Sequence, residues 1–109
     1  MTVNNEETRR QQFVAAFLRL VVRAMGYVAT AAGLPSPTST ESARKLVSEL
    51  IASDLPLVAI SAEWQTVAED RPGTLGEISS WSTYLTNEHK ELILDMCVRF
   101  TNTSDVNPQ

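Results

Sequence analysis

From Phe13 to Ala32 the chain runs for twenty residues with Arg19 and Arg23 as its only charges. Two adjoining apolar stripes lie along this run at helical spacing. Phe13, Phe17, Leu20, Ala24, Tyr27 and Ala31 form one; Val14, Leu18, Val21, Met25, Val28 and Ala32 form the other. Val22 and Ala29 widen the oily face, leaving Gln12, Ala16, Arg19, Arg23, Gly26 and Thr30 as the remainder. A helix of this kind needs neighbours on most of its sides. Extended from Asn5 to Ala32 it would be about 42 Å long, longer than the core of a small domain, so part of its apolar surface is expected to require a second chain. Crossing a bilayer is the other use for such a run. Each mid-span arginine would oppose insertion by about 2.5–3.5 kcal/mol, so the segment is read as a buried core helix with no membrane role.

Start and stop signals divide the rest of the chain. Asn4 or Asn5 caps the first helix, Glu6 and Glu7 suit the positive end of its dipole, and Gly33, Pro35 and Pro37 end it. After the connection 34–38, Thr38 and Glu41 have the spacing of a capping box, and Ala43, Leu46, Val47, Leu50 and Ile51 predict an amphipathic helix to about Ser53. Asp54 is the expected cap of a third helix, with Pro56 in its first turn and Leu57, Ile60, Trp64 and Val67 on its buried face, ending near Glu69. Asp70, Arg71, Pro72 and Gly73 read as a turn, followed by a second capping box, Thr74 and Glu77, and a short helix to about Leu85. The last helix begins near Thr86 and turns His89, Leu92, Ile93, Met96, Cys97 and Phe100 to one side.

With 43% apolar and 20% charged residues the chain has the composition of a globular protein, and its 109 residues suit one domain, with tails at 1–4 and 103–109 expected to fray. The net charge is −4, but residues 1–33 carry +2 and the remainder −6, a distribution that suits head-to-tail or self-complementary association. An acidic balance argues against a nucleic-acid surface. Cys97 is the only cysteine, which rules out an internal disulfide and a multi-cysteine zinc site and suits a reducing cytoplasm. The polar run Thr2–Gln12 lacks the order of a secretory signal.

No motif for catalysis, cofactor or metal stands out. His89, the single histidine, has Leu92 and Ile93 one turn on, neither a ligand type, and is read as structural. Glu88, Glu91 and Asp95 share one face of the last helix; they supply too few oxygens for a cation cage and are read as solvated, with a second role as partners for Arg19 and Arg23. Glu63 and Asp70 carry no signal. Cys97 sits among apolar neighbours as a core thiol. Arg19 and Arg23 stand apart as charges in the middle of the most apolar helix, and Trp64, Trp81, Tyr27 and Tyr84 are of the type that anchors interfaces.

The run Met25–Pro37, MGYVATAAGLPSP, resembles the helix-to-loop segment of tellurite-resistance TerB-like helical domains, in which an acidic residue precedes the loop glycine. Ala32 occupies that place here and the likeness covers the first third of the chain, so the metal chemistry of that family does not carry over.

The expectation is therefore an all-α protein: an antiparallel helical bundle of four main helices and one short one, with helix 1 long and central. Its expected role is non-enzymatic, a cytoplasmic regulatory or adaptor protein that sequesters or inhibits a protein partner, itself a homodimer through the surplus apolar surface of helix 1. Phe13, Phe17, Arg19, Leu20, Arg23, Tyr27, Trp64 and Trp81 are the expected partner-binding residues, and no cofactor is expected. A small-molecule sensor with its ligand among Met25, Trp64, Trp81 and Met96 is the alternative, and an enzyme using His89 beside two carboxylates stands third.

Overall fold

The computed structural model describes residues 5–33 and 35–103. Among them the chain is helical and forms no strand: α1 Asn5–Ala29, α2 Pro37–Ile51, α3 Leu57–Glu69, α4 Arg71–Trp81 and α5 Asn87–Thr103. Leu34 and the expected tails at 1–4 and 103–109 lie outside the described residues, except Thr103, which ends α5. The first helix is α-helical only to Ala29. Thr30–Ala32 tighten into a 3-10 turn, and Gly33 ends it at φ 118°, a conformation that favours glycine.

Three of the expected caps give way to others. Ser36, not Thr38, caps α2: its Oγ accepts the Ser39 N–H at 3.1 Å, with Pro37 in the first turn. Pro56 precedes α3 with no side-chain cap, so Asp54 does not have that role. Asp70 caps α4 by accepting the Gly73 N–H at 3.0 Å. The stretch 71–73 read as a turn is thus the first turn of a helix, and Thr74 lies buried inside it. In both α2 and α4 a proline in the first turn makes the residue before that turn the cap. The α2 end is a Schellman motif, Ser53 N–H to the Ser48 carbonyl and Ala52 N–H to that of Glu49, with Ala52 at φ 54° where glycine is usual. At the start of α5, Thr86 and His89 cap each other: the His89 N–H donates to Thr86 Oγ1 at 3.1 Å and the Thr86 N–H to His89 Nδ1 at 3.2 Å.

α1 packs against each of the other four helices. Leu18 of α1 lies by Ile51 and Ala59, while Trp64 reaches Val22, so α3 runs with α1 and α2 runs against both. Arg71 reaches Tyr27, Glu77 reaches Arg23 and Trp81 meets Phe13, so α4 runs against α1. α5 again follows α1, from His89 beside Phe13 and Phe17 to Phe100 against Trp64.

The principal core cluster draws Phe17, Val21 and Met25 from α1, Val47 from α2, Ile60 and Trp64 from α3, and Met96 and Phe100 from α5. The closest approach is between α1 and α3. Trp64 lies against Gly26, so near that a β-carbon there would come 2.5 Å from its Cδ1, and its Nε1–H donates to the Val22 carbonyl at 2.9 Å. α1 is long and apolar enough to cross a membrane, and 44% of its most apolar stretch is buried inside this chain. Val14, 48% exposed, is the one large apolar side chain of α1 among the exposed ones, so the surplus expected to need a second chain is small.

Candidate interaction surface

The expected partner-binding residues fall into three groups. Phe17, Leu20 and Trp64 are core side chains of this chain itself, with Trp64 only 2% exposed. Phe13, Tyr27 and Trp81 are half-buried. Phe13 stacks on Phe17 at 6.0 Å and, with Trp81, Ser80 and the exposed Tyr84, lines a shallow apolar hollow. Tyr27 lies under Arg71, whose guanidinium is 4.0 Å above the ring while donating to the Tyr27 carbonyl at 2.6 Å and to Thr30 Oγ1. That contact pins α4 to the carbonyl end of α1, where a cation is favoured by the helix dipole.

Arg19 and Arg23 differ from one another. Arg23 is nearly buried, its side chain 12% exposed; its Nε donates to Glu63 Oε1 at 2.7 Å and its Nη1 to Glu77. Burial opposes the Arg23 charge, but these two carboxylates outweigh it and raise its pKa. Burial likewise works against the Glu63 charge, and the Arg23 hydrogen bond with the nearby Arg19 and Arg23 charges overcomes it, holding the carboxyl below its ordinary range. The partners of the two arginines are therefore Glu63 and Glu77, not the acidic stripe of α5, and Glu63 is the junction of α1 and α3. In that stripe Glu88, Glu91 and Asp95 are exposed and Asp95 pairs with Arg99 at 2.9 Å. Arg19 is 57% exposed and touches Glu63 only through Nε, at 3.4 Å.

Arg19 and Glu63 form one edge of an apolar groove of about 310 Å³ between α1, α2 and α3. Its floor is Val22, Val47 and Ile60; Leu18 stands on the α1 wall and Ala59 and Ala62 on the α3 wall. Ile51 and Leu55 complete the lining at the α2–α3 connection. Leu57 and Val58, the latter 71% exposed, fall between the lining residues Leu55 and Ala59 in sequence but do not line the groove. No reading of the sequence selects this groove, because it joins residues more than forty positions apart. Ala59 and Ala62 are small residues on the groove side of α3, but Ser61 and Ala68 on the same helix are small too, so size does not single them out.

The remaining chemistry-bearing side chains are structural in their contacts. His89 is bonded into the α5 cap and sits on the rings of Phe13 and Phe17, 5.3 and 5.2 Å between centroids. Burial pushes the Cys97 thiol up to about 11. Met25, Trp64 and Met96 pack into the core cluster while Trp81 lines the separate hollow with Phe13, so these four do not surround a common cavity. Among the described residues no three histidine, cysteine or acidic side chains gather as a metal site. No family model matches the chain, and no curated protein or solved structure is significantly similar to it.

Proposed function

We propose that the chain is an antiparallel helical bundle organised around α1, and that it acts without catalysis as a small cytoplasmic regulatory or adaptor protein. It sequesters or inhibits a protein partner through an apolar helical surface. The observation that supports this reading is the groove beside Arg19, an apolar trough lined by Leu18, Val22, Ile51, Leu55 and Ala59. An apolar groove open at the surface between packed helices is the usual mark of an interaction site. The binding surface moves accordingly, from the stripe Phe13, Phe17 and Leu20 to Leu18, Arg19, Ile51, Leu55 and Ala59.

The test compares wild type with Ala59→Arg, which plugs the groove from an incompletely buried position. Both are checked for helicity by circular dichroism and used to capture proteins from a native lysate. The expected result is that proteins held by wild type are lost from the variant. Identical retention by the two would overturn the assignment of the groove as the docking site.

A further inference from the structure

We propose that the groove of one copy receives α5 of a second copy, so that self-association masks the surface a partner must reach. This rests on the groove being the docking surface, as proposed above.

The outer face of α5 has the shape and chemistry of the missing occupant. Leu94 and Val98 are one turn apart and 64% and 54% exposed, on a helix whose other large apolar side chains turn inward. Glu91 stands one turn before Leu94 and is exposed, with no ion-pair partner among the described residues. Anchors at i and i+4 rise about 6 Å. The groove offers the same length: its lining spans one turn on each helix, from Leu18 to Val22, Val47 to Ile51 and Ala59 to Glu63. Alanines at 59 and 62 leave room for another helix to come close.

The charges fit in the same sense. Glu63 is already held by Arg23 at 2.7 Å, whereas Arg19 has one long contact through Nε, and its terminal nitrogens have no acceptor among the described residues. An incoming carboxylate meets a guanidinium able to bind it through two N–H groups, and an incoming cation meets repulsion. Residues 1–33, which include Arg19, carry net +2 and the rest of the chain −6. The contact joins two different surfaces: reciprocal exchange of α5 closes a two-fold dimer, and one-way docking closes as a ring or extends as an open chain.

Sedimentation and light scattering across a concentration series read the association. Two anchors and a rim charge make a weak contact, with a dissociation constant of roughly 10–1,000 µM that rises with added salt. Arg19→Glu and Glu91→Arg are each expected to weaken it about tenfold, and the two together to recover most of the loss. Leu94→Lys is expected to abolish it. A monomer at concentrations up to about 1 mM, or association that persists in Leu94→Lys or is unaffected by Arg19→Glu, would overturn the proposal. If wild type is monomeric while lysate capture still depends on Ala59, the self-docking fails and the partner-docking function stands. If capture is also indifferent to Ala59→Arg, both fall.

Discussion

Gly26→Ala is the substitution that most directly probes how α1 and α3 are held together. In an open helix the change would stabilise by about 0.8–1 kcal/mol through helix propensity. Here the new methyl would sit 2.5 Å from Trp64 Cδ1 and 2.9 Å from Nε1. The indole has little room to retreat, being 2% exposed and bonded to the Val22 carbonyl. Overpacking of this kind costs about 1–3 kcal/mol, and losing the indole hydrogen bond adds about 1 kcal/mol. Set against the propensity gain, the net effect is a loss of about 2 kcal/mol, or a fall in Tm of about 10 °C for a domain of this size. Gly76→Ala provides the control, because a β-carbon there meets nothing within 4 Å and should raise stability by about 0.5–1 kcal/mol. Thermal unfolding followed by far-ultraviolet circular dichroism and tryptophan fluorescence measures both. A Gly26→Ala variant as stable as wild type, or more so, would refute the close packing of Trp64 on α1.

Three further outcomes are expected. Ala52→Gly relieves a left-handed alanine at the Schellman end of α2 and should stabilise by about 0.5–1 kcal/mol in urea unfolding; a loss would show that the residue is not held at φ 54°. Glu63 has a depressed folded pKa, so its contribution is present above its unfolded value of about 4.3 and is lost as pH falls through the lower folded value. Arg23→Gln should therefore be less stable than wild type at neutral pH, the gap narrowing below about pH 4; a gap independent of pH would remove Glu63 from the interaction. Cys97, with its pKa raised from 9.0 to about 11, should carry roughly a hundredth of the thiolate of an unperturbed cysteine at the same pH. Its reaction with a disulfide reagent should be slow until denaturant is added, and rapid reaction in the native protein would contradict its burial.

Periodicity in the sequence was sufficient to place α1, α2, α3 and α5, each of which buries a face at three- and four-residue spacing; α4, expected from Thr74 to about Leu85, runs Arg71–Trp81 with Thr74 as its buried residue and Leu75 46% exposed. Their beginnings were harder. Thr38 with Glu41 and Thr74 with Glu77 both satisfy the capping-box spacing, yet Ser36 and Asp70 are the caps. Proline at the following one or two positions fixes φ for a first turn and so starts each helix earlier. Glu41 and Glu77 are thereby released to bind Arg44 and Arg23. The isolated charges Arg19 and Arg23 were visible from the sequence; that they share Glu63, and that only Arg23 is buried there, depends on the register of α3 beside α1. The groove was illegible for the same reason. Its three walls are ordinary amphipathic helices, and the space between them exists only after they pack.

The cover that α5 provides for α1 also bears on how the chain is made. About seventy residues separate the end of α1 from the end of α5, so at roughly 5–20 residues per second a nascent chain leaves Phe17 and Met25 without Met96 and Phe100 for roughly 4–15 s. Throughout that interval the emerging segment has the length and hydropathy of a membrane span. Arg19 and Arg23, unpaired until Glu63 follows about forty residues behind Arg23, oppose insertion into a bilayer over the first half of that interval, a contribution separate from the ion pairs they form afterwards.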